Sequence, residues 1–473
     1  MTKLICYIAS FLDSFTSETN GLIPEIKKFR ISALSLFSIL LLIFSCEKDN
    51  EQYVNFDAGN DELTDLINDV CSLTALQLNK ENTIQSIPQD PKNPITQAKI
   101  DLGKLLFHET GIALNPKQAE GMKTYSCASC HQAKAGFQSG IKQGIGEGGF
   151  GFGLLGEARV MATTYKDTTV DVQPIRSPTI LNSAFQDVML WNGQFGGTKT
   201  NQGTVAQWTV GTPKETNTLG FEGVETQAIA GLDVHRLIID PKMIENNETY
   251  KALFDEAYPD IPIEERYTKL YGALAIAAYE RIVVASEAPF QKWLQGEDGA
   301  LTETEKQGAI LFFGKGKCYT CHSGPALSGM EFHALGMNDL SSSDVHGSID
   351  EVTKKGRGGF TKNPEDDYAF KTPTLYNLKD VHFLGHGGSF TSVKEIIIYK
   401  NNALIENNEV VLSNISSQFK PLGLTDIEIN QLTVFVENAL YDDNLERYVP
   451  ESLPTGQCFP NADAQAKEDT GCN

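Results

Sequence analysis

With 473 residues and 41% hydrophobic content, the chain is long enough for two or three domains and has ordinary globular composition, which excludes large-scale disorder. A formal net charge of −22 argues against nucleic-acid binding. It leaves two readings, a surface that steers basic partners or one that simply keeps the protein in solution.

In chain order, Lys27, Lys28 and Arg30 precede an apolar run from Ile31 to Phe44 that closes on Ser45 and Cys46. The run is shorter than the ~20 residues that span a bilayer, so residues 1–45 read as a signal rather than a permanent membrane helix. Leu42-Ile43-Phe44-Ser45-Cys46 looks like a bacterial lipobox, which implies cleavage before Cys46, lipid on its thiol and a place in the periplasm or cell envelope. Residues 46–87 are an acidic tether with one amphipathic patch at 63–78, and Glu47, Asp49 and Glu51 favour outer-membrane sorting. Pro88, Pro91 and Pro94 then mark an extended entry, and residues 98–107 have the spacing of a helix.

The chemistry begins at Cys127-Ala128-Ser129-Cys130-His131, which recurs as Cys318-Tyr319-Thr320-Cys321-His322. Each is C-x-x-C-H, the signature of c-type haem attachment. Two thiols three residues apart reach the two vinyl groups of one porphyrin, and the following imidazole meets the iron, so His131 and His322 are the expected proximal ligands. Zinc ribbons also pair C-x-x-C units, but roughly fifteen to twenty residues apart and without the following His. Cys130 and Cys318 lie far beyond that spacing.

Between the motifs, residues 144–153 are Gly-rich and contain a formal G-x-G-x-x-G, but no strand and helix flank it as a dinucleotide site requires. They read as a loop beside the haem face. Residues 154–165 look helical, 173–191 are broken by Pro and Asn, and 196–221 resemble an inserted surface loop. Helical periodicity returns at 224–239 and 269–286, before a polar break at Gln295–Gly299 that reads as a domain boundary. A helix over 302–313 leads into the second motif as 98–107 leads into the first, so the chain reads as a diverged internal duplication. Further helices are expected at 392–399 and 427–440. Strand runs are scarce, and the class is mainly α: two cytochrome c-like haem domains packed together, with long loops. Of nine cysteines, four hold haem, Cys46 takes lipid and Cys6 is removed. Cys458 and Cys472 are expected to pair in an oxidising compartment, with Cys71 an alternative partner.

Flanking stretches resemble the bacterial di-haem cytochrome c peroxidase family, which includes the di-haem enzymes that mature methylamine dehydrogenase. They are Leu102-Gly103-Lys104-Leu105-Leu106-Phe107, Arg176-Ser177-Pro178-Thr179-Ile180-Leu181-Asn182, Leu190-Trp191-Asn192-Gly193, Glu225-Thr226-Gln227-Ala228, Lys371-Thr372-Pro373-Thr374-Leu375-Tyr376-Asn377 and His386-Gly387-Gly388-Ser389-Phe390. The resemblance implies a peroxidatic haem domain at 88–295, an electron-transfer haem domain at 296–450 and a tail at 451–473. It implies a peroxidase reducing hydrogen peroxide with electrons from a small cytochrome or cupredoxin. An oxidase that uses peroxide to oxidise a protein or organic substrate, and an electron-carrying lipoprotein, remain as alternatives, and a homodimer is left open.

The resemblance also assigns residues. Many members place a His sixteen residues after the first haem-binding His to block the iron; Glu147 stands there, so the first haem is expected to be open as isolated, with Glu147 a candidate acid/base. The catalytic Gln of the family matches Gln227. Its catalytic Glu has no match, and Asp233 and His235 are nearby, of which His235 titrates in the useful range. Trp191 matches the tryptophan between the haems. Tyr399 matches the sixth ligand of the second haem, with Met330 and Met337 as rivals. An interhaem calcium is doubtful because its Asn ligand aligns with Arg176, which offers no hard oxygen.

Overall fold

The structure, a computed structural model, describes residues 56–78 and 83–472; the signal segment, the lipobox and Cys46 lie outside the described residues. Eight helices organise it: α1 (Phe56–Val70), α2 (Gln97–His108), α3 (Gly223–Val234), α4 (Glu248–Ala257), α5 (Lys269–Ile282), α6 (Glu303–Phe313), α7 (Val393–Asn402) and α8 (Asp426–Val434). Short helical turns and long loops connect them, and the described strands are two antiparallel two-residue ladders, β1 (Gly149–Phe150) with β2 (Val160–Met161) and β3 (Phe332–His333) with β4 (Phe370–Lys371). The mainly α expectation holds. No helix among the described residues is long and apolar enough to cross a membrane.

Side-chain caps set several helix starts. Thr96 accepts from the Lys99 amide to open α2, and Thr302 with Glu305, then Thr425 with Glu428, form reciprocal capping boxes on α6 and α8. Ser392 caps α7, which ends where Ala403 turns left-handed at φ 50°.

The duplication is visible in packing. α2 crosses α5, and α6 crosses α8. Gly103 lies against the Ala275 backbone at the first crossing and Gly308 against the Gln431 backbone at the second, where any Cβ would overlap main chain. Four residues on, Phe107 and Phe312 are fully buried, each such side chain contributing roughly 1.5–3 kcal/mol. After the motifs, Pro178-Thr179 and Pro373-Thr374 repeat as well. Thr179 donates to the Gly136 carbonyl and Thr374 to the Ala326 carbonyl, both at 2.7 Å. Asn182 and Asn377 end the two stretches in the left-handed conformation that Asn tolerates.

Three local expectations change. Residues 154–165 are not helical: glycines at positive φ (Gly153, Gly156) break the run, and Val160–Met161 pairs as β2. The helix expected at 224–239 stops at Val234, because Arg236 adopts φ 57°, and His235 becomes its C-cap. The polar tail is built into the fold. Cys458 and Cys472 are disulfide-bonded, Cys71 is a free thiol, the Pro460 carbonyl accepts from Ser126 and Ser129 beside the first motif, and Asp469 receives the Phe152 and Gly153 amides of the Gly-rich loop.

Candidate active site

The first cavity holds Cys127, Cys130 and His131, set on a single helical turn. The cavity is partly continuous with solvent. His131 Nδ1 lies 3.2 Å from the Phe137 carbonyl. That bond places the proton on Nδ1 and leaves Nε2 for a metal, while burial lowers the imidazole pKa to about 4 and keeps it neutral.

Polar groups complete this cavity. α3 contributes Gln227, whose buried Oε1 has no hydrogen-bond partner, and at its C-cap His235. His235 Nδ1 is 2.8 Å from Asp171 Oδ2. Burial opposes charge on the imidazole, but the Asp171 carboxylate and its hydrogen bond outweigh burial and raise the His235 pKa. α5 adds Glu280, which is buried with Oε2 unpartnered; burial, then the charge of Glu225, raise its pKa to about 8. Each orphaned polar atom is a group that needs something in the cavity to bind.

The second cavity holds Cys321 and His322. Here His322 Nδ1 is 3.1 Å from both the Leu327 and Pro373 carbonyls, and burial again lowers its pKa to about 4. The lining is more apolar, with Leu335, Met337 and Ile396, joined by Lys400, His386, His333 and Lys371. Burial brings the Lys400 amine down to about 8 and Lys371 to about 7, Lys371 donating to Gln186 and to the Val188 carbonyl.

Arg176, Pro178, Thr179 and Leu190 line both cavities and form the wall between them. Trp191, next to Leu190, faces the second cavity and donates from Nε1 to the Arg176 carbonyl at 2.8 Å. The fully buried Arg176 guanidinium donates to the carbonyls of Ile141, Lys142 and Ser139, so a side-chain cation already occupies these oxygens.

The sequence profile of the di-haem cytochrome c peroxidase family matches residues 97–299. The chain is 27% identical over 359 residues to methylamine utilization protein MauG of Methylorubrum extorquens, covering 75% of this chain and 81% of that protein. It is 27% identical over 372 residues to cytochrome-c peroxidase IdrP1 of Denitromonas iodatirespirans, covering 74% and 84%. These matches make the chain similar to the di-haem cytochrome c peroxidase family. Its fold is similar to the crystal structure of a MauG-like protein associated with microbial copper homeostasis, at TM-score 0.53 and 20% identity over 77% of this chain and 95% of that one.

Two residues assigned by resemblance to this family do not reach the cavities. Glu147 is buried, but its carboxylate accepts from Arg236 Nε at 2.7 Å, Tyr165 at 3.0 Å and the Gln118 amide, and it does not line the first cavity. An acid/base role for Glu147 is therefore withdrawn; it holds Arg236, which also reaches Asp171 at 3.5 Å. Tyr399 is likewise turned away from the second cavity. Its hydroxyl donates to the Leu335 carbonyl at 2.6 Å and its ring packs between Phe390 and Phe419, so it is corrected to a packing residue. Of its rivals, Met337 lines the cavity and Met330 does not. Asp233 pairs with Lys269 at the surface. Sequence reasoning missed Asp171, Glu280 and Lys400. Only Lys400 carried a local signal, since on a helix it shares the face of Ile396 four residues earlier.

Proposed function

We propose that this chain is a di-haem cytochrome c peroxidase that reduces hydrogen peroxide to water with electrons from a small cytochrome or cupredoxin. The observation that supports it most is the polar set in the first cavity: an unpartnered Gln227 amide oxygen and a His235 imidazole oriented by Asp171, in the same space as His131. Both cavities fit a haem by their donor sets. Cys127, Cys130 and His131 would hold one, Cys318, Cys321 and His322 the other, each through two cysteine thiols and an imidazole. Bound there, the haems would supply redox-active iron for the two-electron reduction of peroxide.

Peroxide reduction consumes two electrons and two protons and yields two waters. His235, when neutral, accepts the proton of one peroxide oxygen and returns it to the other, the transfer that makes the departing oxygen leave as water. Asp171 keeps Nδ1 protonated and directs Nε2 to that task, and Gln227 orients the peroxide by hydrogen bonding. Trp191, beside the shared wall, carries electrons between the 296–450 and 88–295 domains. An oxidase that uses peroxide to oxidise a protein or organic substrate is equally compatible with the relatives, and no observation favours it over peroxide reduction. The Cys458–Cys472 disulfide suits an exported protein, and with the lipobox it supports a periplasmic, lipid-anchored location through Cys46.

The test is His131→Ala in the haem-loaded protein. Peroxide turnover should vanish while the second haem still accepts electrons from a reduced donor. Equal loss of both would contradict the division of labour.

A further inference from the structure

We propose that Asp463, on the C-terminal tail, is a positioning residue for the proton chemistry of the first cavity, acting through Arg159 on the Asp171 carboxylate. This rests on the reading that Asp171 orients His235, and it extends that dyad to a segment remote in sequence.

The tail is fastened at several points. The Cys458–Cys472 disulfide closes it, Thr110 donates to the Cys458 carbonyl at 2.8 Å, and the Ala462 amide donates to the Thr124 carbonyl at 3.0 Å. Asp463 then caps the short helix Ala464–Thr470 and accepts the Gly151 amide on Oδ1, while its Oδ2 pairs with Arg159 Nη1 at 3.1 Å. The Arg159 side chain is 1% exposed. Burial disfavours its charge, and the Asp463 carboxylate supports it.

From this buried position Arg159 grips the rim of the first cavity. Nε donates to the Ile145 carbonyl at 2.7 Å and Nη2 to the Gly146 carbonyl at 2.8 Å. Gly146 and Asp171 both line the cavity. The Gly146 amide donates to the Asp171 carbonyl and the Asp171 amide to the Glu147 carbonyl, both at 2.9 Å, so the gripped segment holds the Asp171 backbone at both polar groups. Contact is close here. A Cβ on Gly146 would lie 2.8 Å from Asp171 Oδ2, the oxygen that meets His235 Nδ1 at 2.8 Å. A guanidinium fixes two carbonyls together because its N–H groups form a rigid fork. Without its counter-ion the charge is buried and uncompensated, and the grip on Ile145 and Gly146 loosens. Arg236 reaches both Asp171 and Glu147, so the loss is partial. The other polar and charged groups about the dyad are Lys117 near Asp171, Tyr125, whose hydroxyl donates to the His235 carbonyl, and His131 in the same cavity.

The experiment uses the full-length, haem-loaded protein, with haem counted by its pyridine complex. Turnover of hydrogen peroxide, with a one-electron dye as donor, is expressed per loaded molecule. pH–rate profiles are compared for wild type, Asp463→Asn, Asp463→Glu, Arg159→Lys and Asp171→Asn. Asp463→Asn keeps a helix cap but removes the charge. Its acid limb should move to lower pH, in the direction of Asp171→Asn and by less, because His235 is held less firmly by the carboxylate that favours its protonation. Turnover above the limb should fall by up to ~10²-fold, the cost of misplacing a reacting group by about 1 Å. Asp463→Glu should restore both. Arg159→Lys keeps the charge without the fork; it should move the limb the same way, and it decides the matter if Asp463→Asn does not load haem. A limb in Asp463→Asn that coincides with wild type, while that of Asp171→Asn moves, overturns the proposal and leaves Asp463 a support of the fold. An unmoved limb in Asp171→Asn overturns instead the reading of the dyad on which the proposal rests.

Discussion

Around His131 the cavity wall carries groups that handle protons: Gln227, His235 with Asp171 behind it, and Glu280. Around His322 the wall is more apolar, with Leu335, Met337 and Ile396 beside Lys400, Lys371, His333 and His386. Both begin from the same C-x-x-C-H pattern, the same Pro-Thr support and the same glycine-mediated helix crossing, so the duplicated scaffold does not decide what each site does. The helix that closes each cavity does: α3 ends early and delivers an imidazole at its cap, whereas α7 runs on and delivers an amine from its face. A wall with an imidazole oriented by a carboxylate suits proton transfer, and a more apolar wall suits a site that passes electrons.

The largest effect that would break this contrast is His235→Ala. Peroxide turnover should fall by ~10²–10⁴-fold, the usual contribution of a general acid–base, while stopped-flow reduction of the second haem stays unchanged. Asp171→Asn sharpens the same point through pH. The Asp171 charge raises the His235 pKa, and His235 must be neutral to accept a proton, so turnover declines as pH falls through that raised value. Without the charge the decline should move to lower pH; a pH–rate profile with an unmoved limb would remove Asp171 from the mechanism.

Glu147→Gln separates the first cavity from its surroundings. It leaves Arg236 short of a buried partner and should cost ~3 kcal/mol, the low end for breaking a buried pair, seen as a lowered thermal midpoint. Turnover per folded molecule should hold, and a specific loss of kcat would return Glu147 to the chemistry. The smallest effect is expected at the wall. Trp191→Phe should slow electron arrival at the first haem by roughly tenfold, about 1.4 kcal/mol of barrier, in single-turnover kinetics, with both haem spectra unchanged. An altered spectrum would make Trp191 a structural support of the second haem instead.

Some of this was written in the sequence. The two C-x-x-C-H turns, the mainly helical class, the helix leading into each motif and the Cys458–Cys472 pair all follow from residue spacing or local periodicity, and contacts within a few residues enforce them. What spacing leaves open is which way a side chain points once helices cross. Tyr399 and Lys400 are adjacent, yet helix phase sends one hydroxyl to Leu335 and the other side chain to the cavity. Glu147 is matched by counting from His131, but an arginine freed by the left-handed turn at Arg236 claims it. His235 and Asp171 are far apart in sequence and meet only because α3 stops where it does. The haem anchors are thus properties of the chain, whereas the proton dyad and the amine lining the second cavity are properties of the packing, since burial and helix phase select among neighbours that local sequence treats as equivalent.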